Sequence, residues 1–329
     1  MNEKVRKLRG NEALREALMQ EMARDERVFL FGEDVGRYGG VYHVTRGLQE
    51  RFGPERVFDT PISESAIAGL AAGAALVGMR PVAEIQFTDL ITIAMDQIVN
   101  SIAKARFVTN GAMHVPLVIR TLNLGKGTVY SSQNLEAWFV HVPGLKVVMP
   151  SNPYDAKGLL VSAIRDPDPV LFFEHRDLYG MSGEVPEELY TVPFGQAAIR
   201  RQGKDVTLVA YSSMVALAEK VAAQMAGEGV DVEVFDPRTI VPFDREALIQ
   251  SVCKTGRLVI VHESVRRCGV GAEIAAIVAD SEAFGYLAAP IVRVANPGVP
   301  VPHSKALHKY ALPGADDVAA AIRRVMEYA

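Results

Sequence analysis

Glu64 is the residue whose type and setting best suit proton chemistry. It closes the run Asp59-Thr60-Pro61-Ile62-Ser63-Glu64 and stands directly before a largely apolar stretch from Ala66 to Met79. Pro61 fixes the entry to a helix, Ser63 suits the N-cap, and Glu64 falls in the first turn, where the helix dipole favours a carboxylate. Ala66, Gly69, Gly73 and Val77 put mostly small side chains on one face, open to close approach by another helix. The apolar run is about fourteen residues, too short to span a bilayer, and reads as a helix buried in a protein core. Two kinds of chemistry fit Glu64. One is helix-end stabilisation worth roughly 0.3–1 kcal/mol. The other is a buried acid with a raised pKa that shares a proton with a ligand nitrogen. The residues alone leave both open.

The elements that must position Glu64 alternate in type. Residues 11–25 read as a helix with Leu14, Leu18 and Met22 on one face. Residues 28–31 read as a short buried strand ending in Gly32-Glu33-Asp34. Strands follow at 82–87, 116–119, 145–149 and 170–173, separated by helices at 94–107, 134–140 and 154–165. From Gly180 to about Lys204 the pattern gives way to Gly, Pro and acidic residues. It resumes with strands at 206–210, 230–235, 257–261 and 291–294 and helices at 214–227, 244–252, 272–279 and 316–328. Such alternation predicts an α/β fold of two domains, 1–185 and 205–329, joined by a linker over 186–204. Each is expected to be a mostly parallel sheet flanked by helices.

Composition narrows the function. The 35 basic and 39 acidic side chains leave a formal charge of −4, and no basic tract points to nucleic acid or an anionic membrane. Cys253 and Cys268, the only cysteines, form no metal-ligand spacing and suit a reducing cytoplasm. The charged start, Met1-Asn2-Glu3-Lys4-Val5-Arg6, lacks the apolar region of a signal peptide. A soluble, cytoplasmic protein is expected. The loop Gly36-Arg37-Tyr38-Gly39-Gly40 lacks the Lys-Ser/Thr ending of a P-loop. Cys268-Gly269-Val270-Gly271-Ala272-Glu273 follows a strand and opens a helix, but Ile274 stands where a dinucleotide fingerprint has its third glycine. A tight strand-to-helix turn is the better reading. Among the histidines, His141 reads as packing or capping, His262 beside Glu263 as surface or interface, and His175 supports no catalytic assignment. No His-Glu-x-x-His pair or Gly-x-Ser-x-Gly elbow occurs.

Pro61-Ile62-Ser63-Glu64 together with Ala83-Glu84-Ile85-Gln86-Phe87 closely resembles the beta subunits of thiamine-diphosphate-dependent 2-oxo acid dehydrogenases, in the decarboxylating component of the pyruvate, branched-chain and acetoin complexes. The likeness begins at Phe31-Gly32-Glu33-Asp34-Val35-Gly36. It continues through His141-Val142-Pro143-Gly144-Leu145-Lys146-Val147-Val148 and Asp155-Ala156-Lys157-Gly158-Leu159 to Phe235-Asp236-Pro237-Arg238-Thr239. Pro150-Ser151-Asn152-Pro153-Tyr154, Glu174-His175 and Leu178-Tyr179-Gly180 look most like acetoin- or pyruvate-type chains.

The resemblance implies a pyrimidine-binding, transketolase-like first domain and a transketolase C-terminal-like second domain that serves assembly. It implies that Glu64 hydrogen-bonds N1′ of the cofactor and favours the imino tautomer, whose exocyclic nitrogen removes the thiazolium C2 proton. Ile62, Gln86 and the side chain at Leu90 would line the aminopyrimidine pocket. No Gly-Asp-Gly motif for diphosphate and Mg²⁺ occurs in the chain. In the family an alpha subunit supplies that half and holds the Mg²⁺, in an alpha2-beta2 heterotetramer that passes acyl groups to a lipoyl-bearing acyltransferase. Ala163, Asp166 and Asp168 match positions that hold a structural monovalent cation (K⁺) in relatives; a helix-end turn stiffened by two prolines is the plainer reading. Two departures stand out. Leu90 replaces the usual Tyr or Phe. Ser131-Ser132-Gln133 replaces a His-Ser-Gln whose histidine handles substrate and lipoyl acylation, and Ser131 cannot titrate near neutral pH. The alternatives are a split, transketolase-like carbon–carbon transfer enzyme and a non-catalytic scaffold subunit of the same heterotetramer.

Overall fold

The computed structural model describes residues 6–328, which fold as two compact units. One runs to Leu124 and resumes over Trp138–Phe194; the other takes Gly125–Ala137 and the chain from Gly195 onward.

The first unit contains strands β1 (Lys7–Arg9), β2 (Val28–Gly32), β3 (Val57–Asp59), β4 (Arg80–Phe87), β5 (Val118–Asn123), β6 (Lys146–Val148), β7 (Val170–His175) and β8 (Ser182–Glu184). Six of them form a parallel array in the order β6-β7-β5-β4-β2-β3. β2, β5 and β7 are buried along their whole length, as strands covered on both faces must be. Phe31 stacks between Phe29 and Phe58 at centroid distances of 5.3 and 5.5 Å. Helices Gly10–Arg24 and Pro153–Arg165 pack together over the sheet through Leu14, Leu18, Leu159 and Leu160. β1 and β8 pair antiparallel at one side.

Three expectations are revised. The apolar run after Ser63 is helical, Glu64–Leu76, but it is not enclosed. Ile67, Ala68, Ala71 and Ala75 are buried, whereas Ala66, Gly69, Leu70, Gly73 and Leu76 are exposed. A helix apolar all round does not encode which face meets its own core. The helix expected over 94–107 is broken into a 3₁₀ turn at Leu90–Ala94, a π-helical turn at Gln97–Ile102 and a short helix at Ala105–Val108. Finally, the linker expected over 186–204 is anchored over its first part. Lys157 is fully buried, and its ammonium donates to Glu16 Oε1 (2.6 Å) and to the carbonyls of Pro186 (2.7 Å) and Glu188 (2.9 Å). Val192 N donates to Gly158 O (3.1 Å), and a Cβ at Gly158 would lie 2.4 Å from Val192 Cγ2. Burying an ammonium is tolerable because hydrogen bonds replace its water. Residues 186–192 are thereby strapped to the Pro153–Arg165 helix, and Ala198–Arg201 is already a strand of the second sheet.

That second unit contains β9 (Ala198–Arg201), β10 (Val206–Ala210), β11 (Val232–Asp236), β12 (Thr239–Val241), β13 (Leu258–Val265) and β14 (Val292–Asn296). Its sheet runs β14-β13-β10-β11-β9 and is parallel except for β9. Val206, Leu208, Val234, Val259 and Val261 pack with the Met214–Ala226 and Ala315–Met326 helices into one core. Among the described residues no helix is long and apolar enough to cross a membrane.

Candidate active site

β2, β3 and β4 are neighbours, with Gly32 opposite both Asp59 and Glu84. Their carboxyl ends therefore open on one edge of the sheet, where parallel α/β sheets bind ligands. The chain leaving β2 presents Glu33. The chain leaving β3 runs through Pro61, Ile62 and Ser63 to Glu64. β4 carries Gln86 one residue before its end at Phe87 and exits towards Leu90. Its ladder with β5 slips between Ile85 and Phe87, so Gln86 sits at a bulge, a device that re-aims a side chain. Gln86 Nε2 donates to Glu33 O at 3.4 Å. Ser65 Oγ donates to Ile93 O at 2.6 Å, fixing the Leu90–Ala94 turn against the Glu64 helix.

Glu64 is 4% exposed and accepts no hydrogen bond from the described residues. Ser63 occupies the N-cap position, yet its side chain accepts no hydrogen bond from the helix. Glu33 is buried beside Glu64. Burial pushes the Glu33 carboxyl up from its ordinary pKa, and the charges of Glu64 and Asp34 add to the effect. Glu33 Oε1 and Thr60 Oγ1 are buried without a partner. An unsatisfied buried polar atom costs about 1–3 kcal/mol, so such atoms at one strand edge fit a nitrogen-bearing ring that supplies the missing hydrogen bonds. Leu90 is half-buried and Ile62 is 81% exposed. The Gly36–Gly40 loop is no anion cradle: Gly36 N donates to Asp59 Oδ1 at 2.6 Å.

Sequence reasoning assigned no role to Glu33, although an acid directly after a fully apolar strand was a signal. Nor did it find the ion-pair network beneath the site. Arg120, 1% exposed, binds Glu174 through two nitrogens (2.7 and 2.8 Å) and Glu84 Oε2 through a third (2.5 Å). Tyr179 donates to the same Glu174. Burial opposes the guanidinium charge, but Glu174 and Glu84 outweigh it and raise the Arg120 pKa further. Gln86 lines the same small cavity as these groups.

Ser131 belongs to the second unit, where its hydroxyl accepts from Thr128 N (3.1 Å) and bonds Thr128 Oγ1 (3.0 Å). At the candidate cation turn, Lys146 Nζ contacts both Asp166 oxygens (2.5 and 2.6 Å) and Arg106 Nη1 contacts both Asp168 oxygens (2.7 Å). Arg80 donates to Ile164 O (2.8 Å) and Asp166 O (3.2 Å). Among the described residues no group of three or more His, Cys, Asp or Glu is poised for a metal.

His262 is a correction: β13 extends through it, and the imidazole is fully buried rather than at a surface. It stacks on Tyr211 at 5.8 Å, and Ser264 Oγ lies 2.8 Å from Nδ1. Burial lowers its pKa to about 4. A Cβ at Gly271 would lie 2.5 Å from His262 Nε2, and one at Gly269 would lie 3.0 Å from Cε1. These glycines make room for an imidazole, not for a phosphate.

The chain matches the transketolase pyrimidine-binding domain over residues 6–182 and the transketolase C-terminal domain over residues 195–318. It is 46% identical to the 2-oxoisovalerate dehydrogenase subunit beta of Bacillus subtilis, covering 96% of this chain and 98% of that one. It is 47% identical to the acetoin:2,6-dichlorophenolindophenol oxidoreductase subunit beta of Cupriavidus necator, covering 98% of each. The figure for the pyruvate dehydrogenase E1 component subunit beta of Rickettsia felis is 49%, over 96% and 98%. A split-gene transketolase, described as an inactive beta4 tetramer, superposes with a TM-score of 0.80 over 98% of this chain and 99% of its own, at 24% identity, and so shares the fold. Carboxylates at the ends of adjacent parallel strands, two transketolase-type domains and near-full-length likeness to three dehydrogenase subunits agree: the chain belongs to the family of 2-oxo acid and acetoin dehydrogenase beta subunits.

Proposed function

We propose that this chain supplies the aminopyrimidine half of the active site in a thiamine-diphosphate-dependent 2-oxo acid or acetoin dehydrogenase, acting with an alpha subunit in a cytoplasmic alpha2-beta2 heterotetramer. The observation that carries the reading is the buried Glu64 carboxylate, without a hydrogen-bond donor of its own, beside Glu33 with its raised pKa. When bound, thiamine diphosphate supplies an electron sink for decarboxylation or carbon–carbon cleavage. Glu64 holds and exchanges a proton at the pyrimidine N1′. Glu33, buried beside it with a carboxyl pKa raised by burial, is the second acid of the pocket. Gln86 and Ile62 would border the ring, and Leu90 would offer it an aliphatic wall in place of an aromatic face.

Mg²⁺ needs near-octahedral oxygen ligands, and we assign it with the diphosphate to the alpha subunit. A monovalent cation at the Ala163–Asp168 turn would take backbone carbonyls such as that of Ala163, because Lys146 and Arg106 already neutralise the carboxylates of Asp166 and Asp168. Acyl groups pass to a lipoyl-bearing acyltransferase. A second reading, a split carbon–carbon transfer enzyme, is favoured by Ser131, whose hydroxyl is engaged within its own turn.

Calorimetric titration tests the half-site. The chain alone should bind thiamine diphosphate weakly or not at all, and tight Mg²⁺-dependent binding should appear on adding the alpha partner. Tight metal-dependent binding by the chain alone sinks the proposal.

A further inference from the structure

The outer edge of the second sheet carries a groove to which the dehydrogenase reading gives no task. β14 is the last strand of its sheet and is hydrogen-bonded to β13 alone. Beside it opens a cleft of about 410 Å³, within the size range of ligand sites. Val292, Val294 and Leu312 give it an apolar floor. Its walls are basic: Arg266, Arg293, Lys309 and Arg324 stand against a single carboxylate, Asp317. Asp317 is committed to the amide of Gly314 at 2.8 Å. None of the four cations has a carboxylate partner among the described residues. Lys309 packs over the ring of Tyr310, which is 66% exposed at the rim.

A single basic residue on an edge strand is ordinary protection against strand-to-strand aggregation. Arg293 Nη1 donates to Arg266 O at 2.9 Å, but four cations without a carboxylate partner, brought to one cleft from four separate stretches of chain, exceed that need and suit an anionic occupant. We propose that this groove docks an extended acidic segment of a partner protein, which adds a strand to β14 and sets its carboxylates among the four cations. Main-chain hydrogen bonds to the open edge would supply affinity, and alternate side chains would reach the apolar floor. The cations would select the sign of the partner and speed its encounter. The inference stands independently of the chemistry at Glu64.

The test is fluorescence anisotropy with the full chain, alone and assembled with its alpha partner. The probe is a fluorescein-labelled peptide of alternating Glu and Val. Binding is expected in both forms and should weaken at least about tenfold in Arg293→Glu/Arg324→Glu. N-methylation of alternate peptide amides should weaken it by about as much, because strand addition needs those donors. Circular dichroism confirms that the charge-reversed chain is folded. Equal binding of a Lys-Val peptide, indifference to N-methylation, or loss of binding on assembly would each overturn the proposal. So would displacement of the peptide by an equal concentration of single-stranded oligonucleotide, which would mark a general polyanion surface.

Discussion

Arg120 meets Glu174 side-on, with Nε and Nη2 at 2.7 and 2.8 Å from its two oxygens, while Nη1 reaches Glu84. The three residues lie on β5, β7 and β4, so one guanidinium ties three adjacent parallel strands just below the bulge that carries Gln86. Removing the cation alone leaves two buried carboxylates without compensation. Arg120→Met is expected to destabilise the chain by about 3–5 kcal/mol, and replacing Glu84 and Glu174 by Gln in the same chain should recover much of that loss. Urea denaturation of the single and triple variants measures the difference; a loss that the triple variant does not reduce would place the effect in packing rather than charge.

For Glu64, the amide keeps the shape of the carboxylate and cannot exchange its proton. Glu64→Gln is expected to fold and assemble normally, to lose at most about 1 kcal/mol of stability, and to lose most of its rate of cofactor C2 proton exchange. Hydrogen–deuterium exchange at C2 in the assembled complex reads that step without requiring the true substrate. Exchange as fast as in wild type returns Glu64 to a helix-end role.

Ser131 lacks the proton affinity of an imidazole. Oxidative turnover with an artificial electron acceptor is therefore expected to be better preserved than lipoyl acylation in the wild-type complex, and Ser131→His should raise the second more than the first. Parallel assays with each candidate substrate give the ratio. No change in that ratio would make the substitution neutral.

His262 makes stability depend on pH. Its folded pKa, about 4, lies below the ordinary 6.5, so the unfolded chain binds the proton first as pH falls. This residue's contribution is intact above pH 6.5 and is lost progressively down to about pH 4, by up to about 3 kcal/mol. Glu33 has the opposite sign, because its raised pKa favours the folded state as pH falls through the carboxylate range. Denaturation midpoints of wild type and His262→Gln, compared from pH 7 to pH 4, isolate the histidine: the variant should show the shallower slope. Parallel slopes would refute the assignment.

The alternating pattern made the two parallel sheets legible, because strands covered on both faces are apolar throughout and the helices between them are striped. Glu64 was legible as an acid set before an apolar run, whereas Gln86 and Leu90 came into view only through the family resemblance. Glu33 and Arg120 were not legible, because a lone charge in an apolar strand or at its end reads the same whether it is solvated or buried against a partner on another strand. His262 failed for a related reason: strand β13 runs four residues beyond where its apolar run stops, carrying polar residues inward. The exposed face of Glu64–Leu76 was hidden because all its faces are apolar or small, so periodicity had nothing to report.

The strap formed by Lys157, Gly158 and Val192 bears on where the chain can be divided. A fragment ending at residue 185, the expected end of the first domain, would strip the carbonyls of Pro186 and Glu188 from a fully buried ammonium and bare the Gly158 side of the Pro153–Arg165 helix. One ending at Phe194 keeps both. Limited proteolysis should therefore spare 186–192 and find its first sites elsewhere, and excised first domains should express in soluble form only when they carry the strap with them.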